Sequence, residues 1–530
     1  MVSKRVMLTL IVLVTAGLLV LSGCDTSGNG GGGGGGGGVQ SFEEGDVLAG
    51  GYVVTDVDPA GGYVAKRLFN ANPEEDADPA LYEELQVLVE GRFRNDLTFV
   101  GNTSDNAEAD PFAAANLESG EEIGQIVYYL GSAVFIGRNS GNDDTALTIE
   151  PGALIRGTES SQAPGLLVID RGGLIDAQGT ATNPIVMTSA RGSYEVDTGD
   201  DATLATYTPN RAPGDWGGVV INGYGVIQGG EAEGEGGTGF YGGTNPSDSS
   251  GTLRYVRVEF GGTLFTPDNE LNGIAFQGVG SGTTAEYIQV HQNGDDGVEF
   301  FGGNVGVRYV FLTENQDDSV DTDDGWNGSA QYVVIYDPGD HAIESDGDPE
   351  EGGVDPTSAI LSNFTYYDPD DMDDSGYYFR RGSAPTLWNS IGDVSNDTVG
   401  ATDAEPAIEE EAGGEAAGTV TYGGVALSLG ANNAAELNSD FTDADPNDAS
   451  VSISYSSTAY ADTIPDGFLV PTSSGIDASP DGDTLTAQAI PATDNAGNAL
   501  DSNGDFIGAV EPGTTPGTEW WNGWTTGVSQ

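Results

Sequence analysis

One cysteine, Cys24, and two histidines, His291 and His341, stand in a chain of 530 residues. A single thiol forms no intrachain disulfide, so the fold must rest on core burial and backbone pairing. With no second thiol and histidines 50 residues apart, no zinc set of ordinary spacing exists. Bases are scarce too: Lys and Arg total 16 against 84 Asp and Glu, a formal charge of −68. Once Lys4 is set aside with the leader, Lys66 is the one lysine. Such a surface repels phosphate backbones and anionic lipid, which excludes nucleic acid as a partner. It suits a saline or calcium-rich exterior that screens acidic side chains, and equally the binding of divalent cations. No phosphate-binding loop, dinucleotide fingerprint or nucleophile elbow occurs, and glycine spacings mean little among 83 glycines. Hydrophobic residues still make up 37% of the chain, enough for a large core.

What is present begins with MVSKRVMLTLIVLVTAGLLVLSGC, residues 1–24: Lys4 and Arg5, an apolar run, then small residues before the cysteine. Its end, Leu21-Ser22-Gly23-Cys24, resembles a bacterial lipobox. That resemblance implies export, lipidation of Cys24 and a membrane partner through the lipid, at the outer membrane or cell surface, with the periplasmic face also open. An uncleaved membrane helix is the alternative, since the run is long enough to span. The stretch DTSGNGGGGGGGGG that follows cannot form a core, so residues 25–45 are expected to be a flexible tether.

Repeats then dominate. LTIEPGALI (residues 147–155) and LVIDRGGLI (167–175) share Leu, Ile, Gly, Leu and Ile at an offset of 20. Each reads as strand, corner, strand. YIQVHQNGDDGVEFF starts at Tyr287, YVFLTENQDDSVDTD at Tyr309 and YVVIYDPGDHAIESD at Tyr332, spacings of 22 and 23. Asp295, Asp317 and Asp340 align, as do Asp296, Asp318 and His341, then Val298, Val320 and Ile343, then Glu299, Asp321 and Glu344. An earlier copy at Tyr255 lies 32 residues upstream, which implies an inserted loop. Repeats this short bury an apolar face only by stacking. The period predicts an all-β fold, a right-handed parallel β-helix with three short strands per coil. Sandwich hairpins need not repeat one residue at one corner, and propeller blades need periods of about 40 to 50 residues.

The same residues carry a family resemblance. LTIEPGALIRG, IDAQGTATNPIVMTS, GDWGGVVINGYG (214–225), SGTLRYVRVEFGG, and near the end DFIGAVEPG and WWNGWTTG resemble exported bacterial β-helix proteins of pectin-lyase-like shape. The resemblance spans about residues 125–400 plus the last 30 and implies architecture and export, with no secure common activity. Residues 46–124 are expected to form an N-terminal cap, with a helix near 79–90: Asp78 as N-cap, Pro79 at the first position, Leu81, Leu85 and Leu88 on one face, and Gly91 to close it. Residues 401–530, acidic and ending in Trp520, Trp521 and Trp524, read as the opposite cap or a small module.

In stacked coils, equivalent residues sit about 4.7 to 4.9 Å apart. Glu299, Asp321 and Glu344 then form an outward carboxylate row beside inward Val298, Val320 and Ile343. Like charges so spaced repel by about 1 to 3 kcal/mol per pair. Ca²⁺ offsets this, with Asp323, Asp324, Asp346 and Asp348 supplying further oxygens. Fanning into solvent is the alternative. DTDDG at 321–325 and DSNGD at 501–505 only faintly match calcium loops, and DPDDMDDSG at 368–376 reads as a solvated turn.

Enzymatic candidates are the stacked pairs Asp295/Asp317 and Asp296/Asp318, with His341, since two carboxyls about 5 to 9.5 Å apart cleave glycosidic bonds. The GDD, QDD and GDH corners resemble those of polygalacturonase-like enzymes, though the downstream Arg-Ile-Lys grouping is absent and Asp is favoured at turns anyway. Arg380 and Arg381 fall in the next coil, where Tyr377 is expected to replace the acidic residue. They either hold an anionic sugar or pair with neighbouring carboxylates. The expectation is a lipid-anchored, Ca²⁺-stabilised binding or structural protein that meets a glycan or an envelope protein. The competing expectation is a polysaccharide lyase or glycoside hydrolase.

Overall fold

The computed structural model describes residues 42–526 apart from 70–80, 103–109, 118–121, 140–142, 160–162, 192–210, 265–269, 348–355, 368–375, 395–407, 411–419, 430–451, 457–474, 477–484, 488, 512–513 and 515–517. Cys24, the leader, nearly all of the tether, Asp348 and most of the DPDDMDDSG turn lie outside the described residues. Residues 41–530 form one compact unit.

Val219–Asn222, Ile274–Gln277, Val298–Phe301, Val320–Asp323, Ile343–Asp346 and Tyr377–Arg380 pair in parallel, each with the strand one coil on. This is the groove sheet. A second row, the flank, stacks Gly251–Glu259, Thr284–His291, Gly306–Thr313, Ser329–Tyr336 and Ile360–Tyr367. One residue in each flank strand drops out of the pairing and turns left-handed: Tyr255, Tyr287, Tyr309, Tyr332 and Asn363, with φ between 50 and 60°. That bend divides the flank strand, so each coil carries three short strands. Left-handed backbone is strained for a side chain as large as tyrosine. Ring stacking offsets the strain: the four tyrosines lie 4.3, 4.5 and 5.0 Å apart, centroid to centroid, and such pairs contribute about 0.5 to 1.5 kcal/mol each.

Alternation decides which side chains enter the coil. Val298, Val320 and Ile343 point into it and are buried, beside Ile288 and Val290, Val310 and Leu312, and Val333 and Ile335 from the flank. Phe276, Phe300 and Trp326 stack inside at 5.3 and 4.0 Å. After Phe301, Gly302 and Gly303 take φ of 62 and 78° and reverse the chain where a Cβ would strike backbone. The parallel β-helix read from the repeats is therefore the fold, and the loop implied before Tyr287 is there, between Glu259 and Ile274.

Two boundaries move. The helix expected near 79–90 is a strand, Leu81–Phe93, paired antiparallel with Tyr63–Phe69 and parallel with Glu122–Ile136. Leu81, Leu85 and Leu88 fit a helical stripe, but Leu85, Val87 and Val89 alternate into the core, and pairing on both edges satisfies more backbone than an isolated helix would. The Asp-Pro helix start does operate later: Asp110 accepts the Phe112 N–H at 2.9 Å and opens Pro111–Asn116. At the other end, coils continue past residue 400, through Ile408–Glu410, Thr421–Leu429 and Ser452–Ser456. The terminal tryptophans are neither an end cap nor a separate module. They lie along the flank, Trp520 against Tyr309 and Trp524 against Tyr255.

Candidate functional site

Register places the chemistry. The residue two before each groove strand's first inward side chain forms one column: Asn272, Asp296, Asp318, His341. The residue after that side chain forms a second: Ala275, Glu299, Asp321, Glu344, Tyr378. The strip of sheet between them, the groove face, carries acids in its middle coils, Asn272 and Ala275 in the coil below, and Arg380 and Arg381 just beyond Tyr378 in the coil above. Asp296 Oδ1 accepts the Asp318 N–H at 3.0 Å, and Asp318 Oδ1 accepts the His341 N–H at 2.7 Å. Each corner aspartate thus holds the backbone of the next coil, which is a structural reason for its recurrence.

The acids are not fanned into water. Asp296, Asp318 and Glu299 are 7, 4 and 8% exposed. Part of the cover comes from the chain between Asn222 and Gly251: Gln228 Nε2 reaches the Gly347 carbonyl at 2.5 Å, and the Tyr241 hydroxyl donates to Asp324 Oδ2 at 2.7 Å. Burial, then the charges of Glu299 and Asp321, push the Asp296 carboxyl well above its usual range. Burial and Asp321 do the same to Glu299, and burial and Glu344 to both Asp318 and Asp321. Asp295 rises to about 8 through burial and the nearby Glu270 and Asp317, and Glu235 to about 7 through burial and Glu270. Glu299 is hydrogen-bonded to Asp321, and Asp318 to Glu344. Two carboxyls so placed cannot both ionise in a dry site, so each pair holds a proton or faces a cation.

Oxygens of Asp296, Glu299 and Asp321 lie within 4.8 Å of one another, as do those of Asp296, Asp317 and Asp318, and those of Glu270, Asp295 and Asp317. A fourth group joins Asp318, Asp340 and His341. Beside the first group, Asn272 is 2% exposed; its Nδ2 donates to Glu299 Oε2, while its buried Oδ1 has no hydrogen-bond partner among the described residues. An all-oxygen, acidic set fits a hard divalent cation such as Ca²⁺.

The site residues read from sequence are redistributed. Of the expected calcium ligands, Glu299 and Asp321 come together, joined by Asp296 from the catalytic candidates. Asp346 instead binds arginine, accepting from Arg380 Nε at 3.2 Å and from an Arg381 terminal nitrogen at 2.9 Å. Glu344 also pairs with Arg380. Asp324 accepts the Tyr241 hydroxyl, and Asp323 Oδ1 accepts the Asp324 N–H at 2.6 Å. The residue replacing the acid in the next coil is Tyr378 rather than Tyr377: Tyr377 lies opposite Ile343 and points inward, since a slip of one residue changes faces. Tyr378 stacks on the His341 ring at 4.9 Å. His291 is remote from the groove, bonded to Thr313 Oγ1 at 2.8 Å, with burial lowering its pKa. Sequence reading missed Asn272, Glu235 and Glu270. Asn272 had a signal, since NGIA at 272–275 aligns with DGVE at 296–299; the two glutamates sit in insertions with no repeat to align.

Comparison with curated proteins and with solved structures gave no match. The model of the pectate-lyase like beta helix domain matches residues 124–461, more than half of the chain and all of the groove's strands, and the chain belongs to that family.

Proposed function

We propose that this is a binding and structural protein of the cell exterior, held to a membrane through lipid on Cys24, whose groove takes Ca²⁺ and presents it to an extended glycan or another envelope component. The observation that carries this reading is the convergence of Asp296, Glu299 and Asp321 within 4.8 Å beside the Asn272 carbonyl oxygen, which has no partner among the described residues. Asp296, Glu299, Asp321 and Asn272 would hold the ion, which supplies positive charge between coils that otherwise repel. The β-helix provides a long rigid surface for an extended ligand.

A lyase needs a basic side chain available to a substrate proton. Arg380 and Arg381 are instead engaged by Glu344 and Asp346, and His341 Nδ1 lies 2.9 Å from Asp318 Oδ1. The cations at the groove's upper end therefore neutralise protein carboxylates, which favours binding over cleavage. The full-length protein is tested by thermal melts in calcium and in chelator, and by incubation with a panel of uronate polymers. The reading predicts a calcium-dependent rise in Tm without depolymerisation. Cleavage that disappears in Asp317→Asn/Asp318→Asn, with Tm unchanged, would establish a hydrolase or lyase instead. For the anchor, Cys24→Ser should move the expressed protein from the membrane fraction to the soluble one; unchanged membrane retention contradicts lipid attachment.

A further inference from the structure

The last described residues touch the flank in a way no coil touches its neighbour. The described residues of 490–526 contribute no strand to the stack. Side chains of the flank read their backbone instead. Gln331 donates from Nε2 to the Asp501 carbonyl at 3.1 Å and accepts the Asp501 N–H at 2.8 Å. Gln289 does the same to Thr526, at 2.8 and 2.9 Å. Asn363 Nδ2 donates to the carbonyls of Gly504 and Phe506 at 3.0 and 2.6 Å. A Cβ on Gly504 would lie 2.8 Å from both Asn363 Oδ1 and Gln331 Nε2, so the backbone passes close.

Aromatic anchors complete the contact. Trp524 meets Tyr255 and Tyr287 edge-on at 5.5 and 6.4 Å, Trp520 meets Tyr309 at 5.5 Å, and Trp521 stacks on Phe311 at 5.5 Å. Paired side-chain amides that grip main chain, with tryptophans seated on a tyrosine ladder, are how a surface recognises an extended peptide.

We propose that the flank is a peptide-binding surface, filled in each molecule by its own C-terminal segment and able to accept that segment from a second copy of the chain. Within one molecule covalent connection to the coils gives the segment an effective concentration on the order of millimolar, so exchange appears only when the intramolecular contact is weakened. This surface lies away from the acidic groove and does not depend on cation binding there.

Two full-length variants test it. Trp520→Ala/Trp524→Ala keeps the flank and impairs the segment; Gln289→Ala/Gln331→Ala keeps the segment and impairs the flank. Each should sediment as a monomer alone, and their mixture should form a 1:1 complex. A monomeric mixture, with both variants showing the wild-type β-sheet spectrum, overturns the proposal. If either variant fails to fold, a labelled peptide of residues 518–526 carries the test against full-length Trp524→Ala. Binding at least ten-fold tighter than to the wild-type chain supports the surface; no binding, or equal binding to both, refutes it.

Discussion

Asp318 shows how one side chain serves two ends. Its Oδ1 accepts the His341 N–H, and its carboxyl is hydrogen-bonded to Glu344 inside the groove. Asn keeps an acceptor and loses the charge; Ala loses both. Asp318→Ala should therefore lower stability by about 1 to 3 kcal/mol through an unpaired buried N–H, and Asp318→Asn by clearly less, as read by denaturant unfolding. Equal losses would mean that the backbone bond contributes nothing. Asp321 makes the complementary case: its Oδ1 accepts the N–H of Thr322 in its own strand at 2.6 Å rather than one from the next coil, and the charged groups around it are carboxyls. In chelator Asp321→Asn should melt at or above the wild-type temperature, since a repulsive group is gone; in calcium it should melt below. Wild-type behaviour in both conditions would remove Asp321 from the cation set.

Among elements, the groove strands and the bent flank strands play different parts. Ile288 is fully buried between Val256 and Val310 in the stack. Its replacement by Ala leaves a cavity and should cost about 2 to 5 kcal/mol, measured by chemical denaturation. A loss below about 1 kcal/mol would mean that the coil interior collapses freely. These strands were legible because stacking repeats an apolar pattern at a nearly constant spacing, and the matches Ile288/Val310/Val333 and Val298/Val320/Ile343 fall in register. The Leu81–Phe93 strand was not, because its leucines also satisfy a helical spacing and only its two partner strands decide between them. The site was legible in its columns but not in its assignments. Spacing shows that Glu299, Asp321 and Glu344 stack; it does not show that Glu344 and Asp346 are taken by arginines one coil on, or that Glu235 and Glu270 approach through insertions.

For the whole molecule, the groove makes stability depend on both proton and cation. Asp295 is raised to about 8 from an ordinary value near 4, and Asp296, Glu299, Asp318 and Asp321 move the same way. A raised carboxyl stabilises the fold fully below its unfolded pKa and loses that contribution as pH climbs through the folded one. In chelator, Tm should therefore fall between pH 5 and pH 9, about the window these shifts define. Calcium binds the deprotonated groups and should reverse the fall; a flat profile in chelator contradicts the buried carboxyl cluster. The most direct measurement is calorimetric titration of the full-length protein with Ca²⁺ at pH 7, in two buffers of different ionisation enthalpy. The account predicts saturable binding with proton release, since ligands that held protons must give them up, and loss of that binding in Asp296→Asn/Asp321→Asn. Absence of binding at millimolar calcium, or binding that survives that substitution, would contradict it.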